Sequence, residues 1–237
     1  MSFQNQIRAL LFDTFGTVVD WRSSLIESCT HFGQRRQLQV NWEQLITRWR
    51  SAYEPSMDKV RKGQLPWTIL DVLHRAALLE LLPEFQLERL SKDDIDYVTK
   101  LWHRLNPWPD VPGGLGSLKK NFLIGPLSNG NYSLMVELNK FAGLGWDFVL
   151  GSDLFRHYKP DPETYLGACS LLALPPAQVM LVAAHNYDLR AARALGLHTA
   201  FVARPSEYGP GQTKDLQPDG PWDIVAKDFG ELAAQLS

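Results

Sequence analysis

The stretch LLFDTFGTVVD, residues 10–20, carries the reading of the fold. An apolar run of strand length, Ile7 to Phe12, stops at the carboxylate Asp13, and Gly16 comes three residues later. A short apolar run bounded by turn residues reads as a buried strand, and a strand inside a parallel sheet is apolar on both faces. A carboxylate at its end has two readings. It can cap the next turn of the chain, or it can stand where open α/β sheets bind ligands, beyond the carboxyl ends of the strands.

From about Trp21 to Pro107 the period becomes helical: Trp42, Leu45, Ile46, Trp49 and Tyr53 recur at three- and four-residue spacing, as do Ile69, Val72 and Leu73. Ser91 is a plausible helix start before Ile95, Val98, Leu101 and Trp102. NPWPDVPGG (106–114), dense in proline and glycine, reads as a hinge or boundary. Beyond it, strands at 122–127, 148–151, 179–184 and 198–202 alternate with helices at 132–141, from Asp161-Pro162, and at 188–195. Such alternation predicts an α/β protein with a Rossmann-like parallel sheet and helices on both faces. Residues 1–20 and 108–237 are the expected core, and residues 21–107 a helical cap inserted into it.

Composition narrows the class. The 237 residues are 45% hydrophobic and 21% charged, with a formal net charge of −2 and no long charge runs. That leaves no electrostatic footprint for nucleic acid or an anionic membrane, and no apolar stretch is long enough to span a bilayer. MSFQNQIRALLF lacks the features of a signal peptide, so a cytoplasmic protein is expected. Cys29 and Cys169 have no metal-ligand spacing and read as buried free thiols.

The predicted strand ends are polar throughout. The first delivers Asp13 and Thr17, the second Ser128 and Asn129; Lys159 lies after the third, and His185, Asn186 and Asp188 after the fourth. Any one alone is more often a cap than a ligand group. Together they bring two carboxylates and one ammonium to a single crevice.

In order, DTFGTVVD (13–20), PLSNGN (126–131), YKPDPETY (158–165) and LVAAHNYDLRAARALG (181–196) resemble the four motifs of the haloacid dehalogenase superfamily, over nearly the whole chain. The resemblance implies the haloacid dehalogenase fold, with the helical block in the place of the cap. Most members are phosphatases, so membership does not set the chemistry. Such a phosphatase needs an acid two residues after its nucleophilic aspartate, and Mg²⁺ held by carboxylates, usually including a Gly-Asp pair. Here Phe15 takes the first place and Ala184 the second. Mg²⁺ wants several oxygen ligands, so a reaction without metal or cofactor is expected.

The same substitutions resemble the type II 2-haloacid dehalogenases, whose motif is Asp-x-(Tyr/Phe)-Gly-Thr. Halide is a weak base and leaves without a proton donor. TRWRSAYEPSMDKVRKG (47–63) and FVARP (201–205) extend this likeness. It implies hydrolysis of small 2-haloalkanoic acids through an ester on Asp13. Lys159 would keep Asp13 ionised, and Arg50 would meet the carboxylate or halide end of the substrate, with Arg48 and Arg61 as neighbours. Thr17 and Ser128 would orient Asp13 or the substrate, Asn129 would contact the halide, and Tyr165 would support Lys159. Asp188, with His185 or Asn186, would activate the hydrolytic water. Trp21, Trp49, Trp67 and Trp108 are candidate pocket walls beside Phe15. Relatives of this kind are commonly homodimers, which no patch of the sequence itself shows. The alternatives are a phosphatase of small phosphate esters and a non-catalytic member of the superfamily.

Overall fold

The computed structural model describes residues 3–237. Six strands, β1 (Ala9–Phe12), β2 (Leu123–Ser128), β3 (Leu150–Gly151), β4 (Val179–Ala183), β5 (His198–Val202) and β6 (Ile224–Ala226), form one parallel sheet in the order β3-β2-β1-β4-β5-β6. All four residues of β1 are buried, which explains its unbroken apolar run. Ala9 lies opposite Leu123 on one side and Val179 on the other. The strand order runs outward in opposite directions from β1 and β4, so the switch point lies between them. Asp13 carries the ladder one residue further, donating its N–H to the Val182 carbonyl at 3.0 Å.

Six α-helices lie between β1 and β2, and the first five make up the inserted region: α1 (Trp21–Arg36), α2 (Trp42–Ser51), α3 (Tyr53–Arg61), α4 (Leu70–Leu81) and α5 (Lys92–Lys100). Their starts are chemically marked. Asp20 caps α1 by accepting the Ser23 N–H at 2.9 Å, and Ser91 and Asp94 form a reciprocal capping box on α5. The chain leaves the sheet and returns to it side by side. The Asp20 N–H reaches the Asn106 carbonyl and the Trp108 N–H reaches the Val18 carbonyl, each at 3.0 Å.

The remaining helices are α6 (Val111–Leu118), α7 (Tyr132–Ala142), α8 (Pro162–Leu171), α9 (Asn186–Ala194) and α10 (Phe229–Leu236). Alternate residues of β1 face two separate apolar cores. Leu10 and Phe12 pack with Leu115, Leu134 and Phe229, in a core continuous with Trp42, Leu45 and Trp49 of the inserted helices. Leu11 packs with Tyr165 and Leu189 on the other face. Both cysteines are buried and free, and burial pushes the Cys29 thiol up to about 12.

Four details depart from the sequence reading. The proline- and glycine-rich stretch is only half a linker, because its second half begins α6. Pro112 sits where a helix needs no N–H donor, and Gly114 lets α6 approach α10, since a Cβ there would lie 2.4 Å from the Phe229 Cβ. The third strand shrinks to two residues. Helix α9 starts at Asn186, two residues earlier than expected, which places Asp188 in its first turn. β6 and α10 complete the sheet beyond the last strand read from the sequence.

Candidate active site

Asp13 stands at the tip of β1 with each carboxylate oxygen separately engaged. Oδ1 accepts from Lys159 Nζ at 2.9 Å. Oδ2 accepts from Thr17 Oγ1 at 2.7 Å and from His185 Nδ1 at 3.0 Å. The turn after β1 makes this local: Gly16, at φ +89°, reverses the chain, and four residues separate Thr17 from Asp13. Thr17 Oγ1 also accepts the Ala184 N–H at 2.9 Å, tying the turn to the end of β4.

Lys159, only 1% exposed, lies between two carboxylates, Asp13 and Asp188. Asp188 in turn accepts the Tyr165 hydroxyl. Burial alone would raise the Asp13 pKa, but the Lys159 ammonium and the His185 and Thr17 hydrogen bonds outweigh it and hold the carboxyl well below the usual range. Burial would lower the Lys159 pKa, yet Asp13 and Asp188 drive it upward. Burial and the neighbouring Asp13 charge push Asp188 up, against the pull of Lys159. The result is a buried carboxylate held ionised and aimed into the switch-point crevice.

His185 adds a second carboxylate pair. Its Nε2 lies 2.9 Å from Glu207 Oε2, and Glu207 accepts the Trp21 indole N–H at 3.0 Å. Burial disfavours the imidazolium, but Glu207 and Asp13 outweigh it and raise the His185 pKa well above its ordinary value. Glu207, 1% exposed, was not among the residues singled out from sequence. It is the one acid between Val202 and Lys214, and nothing local marks it as facing His185. Its carboxylate presses on Gly16, where an added Cβ would come within 2.1 Å of Oε1. Gly16→Ala therefore meets both a left-handed backbone and an occupied space. It is expected to cost about 2–4 kcal/mol, read as a lowered urea midpoint with unchanged slope.

Arg50 reaches the same region from α2. Its guanidinium carbon lies 4.0 Å from the Tyr53 ring centre and 5.1 Å from that of Trp21. Its Nη1 is buried with no hydrogen-bond partner. An unpaired buried donor is costly, so this atom is suited to an incoming acceptor. Arg50, Tyr53, Trp21, His185, Tyr187 and Tyr208 share the lining of a cleft of about 740 Å³. Phe15, where a phosphatase would carry its acid, is buried edge-on to Trp102 and Tyr53.

Other residues read from the sequence fall elsewhere. Asn186 does not face Asp13: its side chain binds Asp215, the Gln217 carbonyl, the Asp219 N–H and the Trp222 indole, pinning the loop after β5. Both ends of its amide are thereby satisfied, which removes it from the water-activating set. Ser128 Oγ accepts the Gly130 N–H at 3.1 Å, and Asn129 Oδ1 accepts the Lys159 backbone N–H at 2.7 Å. Of the four tryptophans considered as walls, Trp21 lines the cleft. Trp49 donates to the His74 carbonyl, Trp67 packs at a tilt on Tyr158, and Trp108 donates to the Gly16 carbonyl. Arg48 pairs with Glu84 at the surface. Among the described residues, no group of three or more His, Cys, Asp or Glu side chains is arranged to hold a metal ion. Among them, too, no helix is long and apolar enough to cross a membrane.

A parallel sheet of this order, with an ionised aspartate beyond its first strand and a helical insertion over it, defines a hydrolase of the haloacid dehalogenase-like family. The family model matches residues 7–196, and the chain belongs to that family. Within it, the chain is similar to the L-2-haloacid dehalogenase PA0810, at 54% identity and a TM-score of 0.95, covering 97% of this chain and 98% of that one. The defluorinating L-2-haloacid dehalogenase Rha0230 is 49% identical with a TM-score of 0.94, over 97% and 95% of the two chains. The (S)-2-haloacid dehalogenase 1 of Pseudomonas sp. (strain CBS-3) is 29% identical over 85% of this chain and 88% of its own.

Proposed function

We propose that this protein hydrolyses the carbon–halogen bond of small 2-haloalkanoic acids, through an ester on Asp13 and without a metal or cofactor. The observation that carries the reading is the buried, ionised Asp13 beside a cleft into which Arg50 brings an unpartnered donor. In this reading residues 1–20 and 108–237 supply the nucleophile and residues 21–107 the substrate clamp.

Asp13 Oδ1 carries one hydrogen bond and Oδ2 two, so Oδ1 keeps the freer lone pairs and attacks C2. The new C–O bond forms as the carbon–halogen bond breaks, and halide leaves with the electron pair. Arg50 receives the substrate carboxylate or the departing halide, with Asn129 at the halide side and Thr17 and Ser128 steadying the reacting groups. Esterification removes the Asp13 charge, one of the two anions that keep His185 protonated. His185 then releases its Nδ1 proton, which accompanies the halide as acid, while Glu207 retains the Nε2 hydrogen bond. Neutral His185 takes a proton from water as that water attacks the Asp13 carbonyl carbon. Collapse of the tetrahedral adduct expels the 2-hydroxy acid, which takes the proton from His185, and the Asp13 carboxylic acid then gives its own proton to His185, restoring the starting ion pair. Asp188 and Tyr165 hold Lys159 in place throughout.

One displacement at C2 inverts that carbon, and ester hydrolysis at the Asp13 carbonyl leaves it untouched. With the (S) preference named for the relatives, (S)-2-chloropropionate should give (R)-lactate, read by chiral chromatography. Chloride release from chloroacetate should survive EDTA, and fluoride release from fluoroacetate is expected as well. Phosphate release from small phosphate esters with Mg²⁺, without halide release from any haloacid, would overturn the reading. The near-neutral charge argues against a nucleic-acid partner; a cytoplasmic homodimer is the form expected from the resemblance, and size-exclusion chromatography with light scattering tests the dimer.

A further inference from the structure

Arg61, the last residue of α3, crosses from the 47–63 stretch to the sheet domain at a point away from the cleft. Its side chain is 16% exposed and held from the helix side by Asp58 at 2.8 Å and Glu54 at 3.3 Å. Its Nη2 donates to the backbone carbonyl of Lys159, 98 residues away in sequence. Its Nε is buried without a hydrogen-bond partner, 3.7 Å from Asp161 Oδ1. On the opposite side, Asn129 Oδ1 accepts the Lys159 N–H. The preceding residue is gripped as well: the Tyr158 hydroxyl donates to the Thr68 carbonyl, and its ring packs on Trp67 at 4.9 Å. The segment that carries the reactive ammonium is thus clasped by three residues of the inserted helical region.

We propose that Arg61 is a positioning residue for Lys159, through which the inserted helices set where the ammonium stands against Asp13. The Arg61 guanidinium is outside the cleft lining and acts on the Lys159 carbonyl rather than on substrate. A charge-assisted bond to a carbonyl fixes the backbone, and the fixed backbone fixes the start of a buried side chain that must reach two carboxylates. Docking of the helical region and completion of the Asp13–Lys159–Asp188 constellation then become one event. The chemistry requires both at once, because a nucleophile displaced from its counter-ion loses its ionisation and its aim together.

The test compares Arg61→Ala, Arg61→Lys and Arg48→Ala, which removes an exposed arginine of the same stretch that pairs with Glu84 and touches neither Arg61 nor the cleft lining. Halide release from chloroacetate is followed across pH, with thermal melting as a check on folding. Arg61→Ala is expected to lose about tenfold or more in kcat with little change in KM, because misplacement by a fraction of an ångström suffices. Its acid limb should move to higher pH as Asp13 loses the close ammonium. Arg61→Lys, which keeps a cationic donor, should recover part of kcat and return the limb toward its original position, and Arg48→Ala should match the unaltered protein. If Arg61→Ala does not fold, Arg61→Met, which keeps the apolar stem, takes its place. A folded variant with unchanged kcat and acid limb, or a loss confined to KM, overturns the proposal. The proposal rests on the dehalogenase reading. No halide release from the unaltered protein sinks that reading, whereas full release by Arg61→Ala sinks the positioning role alone.

Discussion

Asp13→Asn is expected to lower halide release about 10⁴-fold or more while leaving a folded protein. The amide is nearly the size of the carboxylate, so packing at the tip of β1 is kept. What disappears is the negative charge that attacks C2 and that Lys159 and His185 are placed to hold. Thr17 Oγ1 also loses a charged acceptor, although it keeps the Ala184 N–H. The measurement is halide release from chloroacetate, with near-ultraviolet circular dichroism to confirm the fold. The unaltered protein supplies the complementary result. After many turnovers in heavy-oxygen water, the peptide containing Asp13 should carry the label, because water enters at the Asp13 carbonyl and not at C2. An active protein with unlabelled Asp13 would exclude the ester.

His185→Asn separates the two halves of the reaction. Displacement of halide needs Asp13, Lys159 and Arg50, so one equivalent of halide should still be released. Hydrolysis of the ester needs the base, so steady-state turnover is expected to fall about 10²–10⁴-fold. Intact-protein mass spectrometry should then find the chain heavier by one carboxymethyl group. Full turnover by this variant would move water activation to Asp188. The same substitution has a stability signature with a defined sign. The folded pKa of His185 is raised, so its charge pairing with Asp13 and Glu207 contributes fully below the unfolded value of about 6.5. That contribution fades only as pH rises through the folded value. The gap in urea midpoint between unaltered protein and His185→Asn should therefore be widest in mild acid and narrow in alkali.

Much of the fold was legible because its determinants are local. The apolar runs of β1 and of the later strands are fixed by neighbours in the chain. So are the helical spacing at Trp42, Leu45 and Trp49 and the caps at Asp20 and Ser91. The 106–114 stretch misled for an equally physical reason. Proline and glycine mark a turn when nothing else acts on them, but Pro112 is tolerated in a first helical turn and Gly114 is required by Phe229, more than a hundred residues away. The strand ends were legible too, since a parallel sheet directs them all to one edge.

The partners of those strand-end residues were not. Asn186 and His185 are adjacent in sequence, yet one turns to the loop after β5 and the other to Asp13. The backbone at the start of α9 decides which is which. Glu207 has no local signal at all, and Arg61 only its place in the 47–63 stretch; they are drawn to the site from an irregular loop and from the end of a helix.

By itself the sequence determined the layered α/β plan, the carboxylate Asp13 at the end of the first strand and the apolar Phe15 two residues on, because period and spacing are properties of neighbouring residues. Only the tertiary structure decided that Glu207 holds His185, that Arg61 reaches Lys159 and that Arg50 is left with a free donor. Buried charges must find partners wherever packing brings them, and packing joins residues that the chain keeps far apart.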